Sequence, residues 1–331
     1  METVNTFYRG TCDWFEDAVL SVCHQFFPTE PALTIHSVSP RLNRCPGHHD
    51  FDFICRSPDA EFKVMLRLAQ GRLSIWEGIE HEKYQKEYSV MLHAYQAGYP
   101  SPFPYGVGVT KRPFGSPYLL MDPGDGFRWW EINNSLRAVQ IEVVDSLADQ
   151  LALLHQAVPP RHPRVPAVEV GRVLNQLWAR VAHLKEDELV RCFEGCWNQC
   201  PSITPLPFVL LHGSFDLDHV LIQNGKVRTV IEWEHAAAGD PRWDVAHCSI
   251  TLQRPRDRFL ANRFLARYVQ NTGTPMECIS FWEGLVSLRS YALIRWLRSL
   301  DERSFEAVAG RQTNLVDREE EMRARALRQF T

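Results

Sequence analysis

Alternation with a period of two dominates the chain from Leu33 to Leu68. In the run from Phe62 to Leu68, Phe62, Val64, Leu66 and Leu68 fall on one face, and Lys63, Met65 and Arg67 fall on the other, as a β-strand requires. Phe51 to Cys55 predicts a second strand. It is joined to the first by a turn at Arg56-Ser57-Pro58-Asp59 and preceded by a polar bend at Asn43-Arg44-Cys45-Pro46-Gly47. After Trp76 the period changes. Tyr84, Tyr88, Met91, Leu92 and Tyr95 recur at helical spacing, and Gly98 marks the stop. Glu87 lies three and four residues from Tyr84 and Met91, hence on the packed face. A carboxylate there calls for a partner unless it stands at the edge of the stripe and reaches water. Tyr118 to Met121 predicts a buried strand that Asp122-Pro123-Gly124-Asp125-Gly126 breaks.

Beyond this break the pattern is helical. Helices are expected over Ala138 to Gln156, Val170 to Cys200, Arg258 to Gln270 and Ile279 to Leu300, with Pro159 to Pro163 as a stiff connector. Two lobes follow: 1–122, mainly antiparallel sheet with one packed helix, and 123–331, mainly helical. From Asp317 to Arg328, Glu319/Arg323 and Glu321/Arg325 stand four apart, which predicts a solvated helix. Cys192, Cys196 and Cys200 draw a stripe along a helix without a Cys-x-x-Cys pair, so they read as small buried residues and not as a zinc site.

Composition narrows the partners. The chain has 331 residues, 45% of them hydrophobic and 23% charged, with a formal charge of −4. It can bury a sizeable core, and it lacks the basic stripe that nucleic acid demands. No apolar run approaches the roughly 18 to 20 residues that span a bilayer, and the first residues carry no basic, apolar leader. Nine cysteines, an odd number, suit reduced thiols. A cytoplasmic protein acting on a small molecule is expected, with no nucleic acid and no membrane partner. The pattern specifies no oligomeric state.

Asn224-Gly225, between Val220 to Ile222 and Val227 to Ile231, is a type I′ hairpin signal, because both turn residues must take positive φ. The two strands bring His219 and Glu232 together at the open end, with Asp216 and Asp218 nearby. That convergence predicts a divalent-metal site or a proton-transfer site, unless it is a surface polar cluster.

Leu211-His212-Gly213-Ser214-Phe215-Asp216-Leu217-Asp218-His219, the hairpin, Ile231-Glu232-Trp233-Glu234 and Gly239-Asp240-Pro241 together resemble the catalytic core of the aminoglycoside phosphotransferase/choline kinase family, within the protein kinase-like superfamily. The usual form there is His-Gly-Asp-x-x-x-x-Asn, a hairpin, Ile-Asp-Trp-Glu and Gly-Asp-Pro. Further resemblances run in order from about residue 33 to 250: Met65-Leu66-Arg67, Lys86-Glu87, Gly98 to Pro102, Pro117 to Asp122, and Leu151 to His155.

The resemblance implies an α+β, bilobal protein kinase-like fold that uses ATP or GTP with Mg²⁺. Arg67 would touch the nucleotide phosphates and pair with Glu87, the Met121-Asp122 hinge would receive the purine, and the bend from Asn43 to Asp50 would cover the phosphates. His212 and Asp240 would brace the catalytic loop. Three polar positions depart from the family form: Ser214 stands at the catalytic Asp, His219 at a metal-binding Asn, and Glu232 at the principal metal-binding Asp. A serine hydroxyl stays protonated near neutral pH, so Asp216 or Asp218 would have to replace the base.

Three functions are therefore expected to compete. The first is a small-molecule O-phosphotransferase with a hydroxyl acceptor, in specialised metabolism or antibiotic modification, with Glu232 and His219 on the metal and Asp216 as the replacement base. The second is a catalytically silent, kinase-shaped binding or regulatory protein, and the third is a cleft reused for a non-phosphoryl acid/base reaction. Phe281, Trp282, Tyr291 and Trp296 would favour a neutral or aromatic acceptor, unless they are core.

Overall fold

The computed structural model describes residues 12–30, 32–40, 48–69, 80–109, 112–132, 137–157, 165–253, 258–299 and 315–331. The bend over 43–47 and the connector over 159–163 lie outside these residues. The chain divides into two compact units, one formed by 1–92 with 102–123 and the other by 93–101 with 124–331.

The first unit is built on five strands: β1 (Thr34–Pro40), β2 (His48–Arg56), β3 (Glu61–Ala69), β4 (Pro104–Gly108) and β5 (Tyr118–Met121). Their order is β1-β2-β3-β5-β4, and every pairing is antiparallel. In β3, Val64, Met65, Leu66 and Arg67 are all buried, so both faces of this central strand are covered. Val64 and Leu66 meet Val19, Val22 and Cys23 of the helix Cys12–Phe26. The strand-centred sequence reading omitted this helix, although Phe15, Ala18, Val19, Val22 and Phe26 carry helical spacing. Helix Glu80–Gln96 is present as expected and is followed by Gly98 at φ +78. Glu87 faces inward, whereas Tyr95 is exposed and not part of the packed stripe.

The second unit holds two small sheets among helices. β6 (Phe127–Arg128), β9 (Val220–Gln223) and β10 (Lys226–Val230) form one, and β7 (Ala167–Val168), β8 (Val209–Leu211) and β11 (Ala237–Gly239) form the other. Asn224 at φ +51 and Gly225 at φ +71 make the hairpin turn between β9 and β10. β6 then pairs with β9, placing Arg128 opposite Leu221.

The expected helix from Val170 to Cys200 is two helices, Val170–Leu184 and Asp187–Gln199, with Lys185 in left-handed geometry at the break. Cys192 and Cys196 are buried in the core between them and helix Ile279–Ser299; burial pushes the Cys192 thiol up to about 11. Phe281, Trp282 and Tyr291 belong to the same core. Helix Leu315–Phe330 is not the solvated element expected. Met322, Ala326 and Phe330, four apart, bury one face in that core, and Arg323 pairs with Glu188 instead of Glu319, whereas Arg325 does pair with Glu321, at 2.9 Å. Among the described residues no helix is long and apolar enough to cross a membrane.

Candidate active site

Loop 211–219 starts where β8 ends. Its backbone is held from several sides. Asp244, fully buried at the start of helix Arg242–Leu252, accepts the N–H of His212 at 2.7 Å and of Gly213 at 2.8 Å. Trp243 Nε1 donates to the Gly213 carbonyl at 3.0 Å. The His212 Nε2 group hydrogen-bonds the Ile231 carbonyl at 2.9 Å, and the ring packs on Trp233. Burial, and then the charge of His219, push His212 down to about 4, so near neutral pH it is uncharged and Nε2 carries the donated proton.

Gly213 has to be glycine. Its φ is +88, and a Cβ there would stand 2.1 Å from the His235 carbonyl oxygen.

The bracing carboxylate is thus Asp244, not Asp240 as the resemblance implied. Asp240 grips Arg242 through Nε at 2.9 Å and Nη2 at 2.6 Å, and accepts the Leu206 N–H at 3.1 Å. It secures the entry to helix Arg242–Leu252, and Asp244, one turn further on, reaches the loop. Sequence reading stopped at Gly239-Asp240-Pro241. The available signal was Asp244 itself, an acid in the first turn of a helix that is otherwise buried nearly all round.

Past Gly213, Ser214 presents a buried hydroxyl with no partner among the described residues. Asp216 caps the short turn Leu217–His219: its Oδ1 accepts the Asp218 N–H at 2.8 Å and lies 2.7 Å from His219 Nδ1. Burial pushes the Asp216 carboxyl up, but the charge and hydrogen bond of His219, helped by His247 and Arg318, outweigh it and bring it down to about 2. Asp218 is half-buried in the same turn.

The hairpin delivers Glu232 as expected. Its backbone is left-handed at φ +67, and its side chain is buried. Oε2 lies 3.3 Å from His219 Nε2, and Oε1 lies 3.1 Å from Arg128 Nη2. Arg128, which sequence reading missed, also donates through Nη1 to the Asp218 carbonyl at 2.6 Å. Gly124 and Asp125 lead into β6 against Thr229 of the hairpin, and so aim Arg128 at this point.

The residues expected to hold Mg²⁺ do not fit it in this arrangement. Magnesium takes oxygen ligands in near-ideal octahedral geometry, whereas one Glu232 oxygen faces the Arg128 guanidinium and the other an imidazole nitrogen of His219. Among the described residues no group of three His, Cys, Asp or Glu side chains is placed to hold a metal ion.

In the first unit Arg67 and Glu87 are joined, with Nη1 to Oε1 at 2.7 Å and both side chains buried. A second carboxylate was not foreseen. Asp50, which pairs directly with Arg67 across β2 and β3, takes Nε at 3.0 Å and Nη2 at 3.1 Å. The end of the bend expected to cover phosphates is therefore strand, and Asp50 belongs to a buried ion cluster. Met121 ends β5, and the Asp122 N–H is engaged by the Phe103 carbonyl at 2.9 Å.

An antiparallel five-stranded sheet with packed helices, a helical second unit, and a braced loop leading into a hairpin define a protein kinase-like α+β fold of the phosphotransferase type. The chain belongs to the phosphotransferase enzyme family, whose model matches residues 59–278, about two-thirds of its length. Among curated proteins it is similar to acyl-CoA dehydrogenase family member 11 of Rattus norvegicus, at 25% identity over 213 residues, covering 60% of this chain and 27% of that protein. The chain thus spans about a quarter of the length of that relative. The GDP complex of aminoglycoside 2'-phosphotransferase-IIIa matches with a TM-score of 0.63 at 15% identity, covering 92% of this chain and 98% of that one. The amicoumacin kinase hAmiN in complex with AMP-PNP, Ca²⁺ and Ami matches with a TM-score of 0.62 at 13% identity, covering 93% of each.

Proposed function

We propose that this protein is a small-molecule O-phosphotransferase that moves the terminal phosphoryl group of ATP or GTP to a hydroxyl. One observation carries the reading. The loop from His212 to His219 is held in place by buried Asp244, Trp243 and a left-handed glycine, and it ends where Asp216, His219 and Glu232 meet. Such a buried polar framework is costly to maintain and serves to orient groups.

In the step itself, the bond from the terminal phosphorus to the bridging oxygen breaks, and the nucleoside diphosphate departs with the electron pair. A new bond forms from phosphorus to the acceptor oxygen, whose proton passes to a carboxylate. Asp218 takes that proton. Asp216 is a poor candidate, because its Oδ1 is committed within the loop and its carboxyl is held at about 2. Ser214 stays protonated and supplies no base, and its hydroxyl is buried. Transfer of this kind depends chiefly on positioning and electrostatics, so a weak base suffices. Arg67 and Glu87 hold the strand and helix that frame the nucleotide, with Met121 and Asp122 beside the base.

The acceptor is a hydroxylated metabolite or antibiotic. The test is a mass-spectrometric screen of hydroxylated metabolites with ATP and with GTP, in which one compound gains a phosphate.

A second reading, binding without catalysis, is favoured by one observation: the Glu232 carboxylate is closed off by Arg128 and His219. Nucleotide binding with no diphosphate released against any acceptor supports that reading instead.

A further inference from the structure

Glu232 stands where the resemblance places a metal ligand, and the structure gives it a different companion. Its two oxygens meet Arg128 Nη2 at 3.1 Å and His219 Nε2 at 3.3 Å. The other nitrogen of His219 lies 2.7 Å from Asp216. A divalent ion entering here would have to displace or approach the Arg128 guanidinium.

Arg128 is no loose surface side chain. Its strand pairs with β9 at Leu221, its N–H donates to Glu131 at 2.6 Å, Nη1 reaches the Asp218 carbonyl at 2.6 Å, and the guanidinium lies over Trp130 at 5.3 Å. A guanidinium has five N–H donors in a planar fork. Two are used, on Glu232 and on the Asp218 carbonyl, and the side chain keeps 13% of its surface exposed. The remaining donors suit phosphate oxygens, which Arg engages through paired, charge-assisted bonds.

We propose that Arg128 is a built-in cation that takes the place of the divalent metal at Glu232, and that the site binds nucleotide phosphates without metal. The nucleotide half of this inference rests on the phosphotransferase reading above. The exclusion of metal does not.

Two titrations test the halves separately. In the first, AMP-PNP is titrated calorimetrically into wild-type protein in Mg²⁺ and in EDTA. The expected affinities agree within about threefold, and Arg128→Ala in EDTA loses about tenfold or more. Arg128→Lys, which keeps the charge without the fork, should fall between them. In the second, Mn²⁺ alone is titrated and followed by electron paramagnetic resonance. Wild type should take up none, and Arg128→Ala should gain an Mn²⁺ site that the further change Glu232→Gln removes. Wild-type affinity for AMP-PNP that rises about tenfold or more with Mg²⁺ overturns the proposal, as does wild-type Mn²⁺ uptake that Glu232→Gln abolishes. An Arg128→Ala protein that neither loses nucleotide nor gains Mn²⁺ also overturns it. Failure to bind nucleotide under any condition defeats the phosphotransferase reading, and the Mn²⁺ titration then decides the metal half alone.

Discussion

Asp244 and His212 are joined through the backbone of the loop: the Asp244 carboxylate accepts the His212 N–H at 2.7 Å and, with its other oxygen, the N–H of Gly213 at 2.8 Å. Neither bond involves a loop side chain. Asp244→Ala leaves two buried N–H groups unpaired, at a cost of about 3–5 kcal/mol. Chemical denaturation should show that loss, and Asp244→Asn, which keeps one acceptor, should lose less.

Gly213→Ala places a methyl on a left-handed residue and against the His235 carbonyl. Strain of this kind costs about 1–3 kcal/mol before any clash is counted. The variant should unfold at a midpoint well below wild type, and Gly171→Ala, where a Cβ meets nothing within 4 Å, should not.

Acid sensitivity follows from two histidines. Burial, with the charge of His219, holds His212 at about 4; burial, with the charge of Arg289, holds His247 at about 3. Between pH 6.5 and about 4 the unfolded chain therefore binds protons that the folded chain refuses, and stability falls as pH falls. Each histidine contributes roughly 1.4 kcal/mol per pH unit. His247→Gln should lower the slope of unfolding free energy against pH in that window by roughly 1 kcal/mol per pH unit. An unchanged slope would show that His247 is not kept neutral.

Asp50→Ala removes one of the two carboxylates around buried Arg67. Arg67 keeps Glu87, but two buried guanidinium donors lose their acceptors, at about 1–3 kcal/mol each. Arg67→Lys should also destabilise, because an ammonium cannot reproduce the fork that spans Asp50 and Glu87. Thermal melts of both variants check this.

In the phosphotransferase reading, Asp218→Asn should lower turnover by about 10²-fold or more with nucleotide affinity nearly unchanged, since a proton acceptor acts on the transition state. Asp216→Asn should cost less than Asp216→Ala, because the amide oxygen still caps the turn at Asp218. Single-turnover rates of the three variants distinguish the base from the residue that positions it.

The strands and the hairpin were legible because a period of two and Asn224-Gly225 are local signals. Glu87 was legible too, since its helical phase placed it on the packed face and Arg67 alternated toward it. Asp50, Asp244 and Arg128 were not. Each acts on a group 17, 32 or 104 residues away, and no short-range pattern encodes such a distance. The C-terminal helix was misjudged for a related reason. Its charges at spacing four were obvious, while the apolar trio Met322, Ala326 and Phe330 declared its role only once a core was there to receive it.

The anchoring of the loop has an evolutionary consequence. Asp244, Trp243 and Gly213 hold the main chain without any contribution from the side chain at 214. Exchanging that side chain alters the chemistry on offer while the scaffold beneath is spared. A lineage could thus visit and leave different reactivities at this one position without first having to rebuild the protein around it.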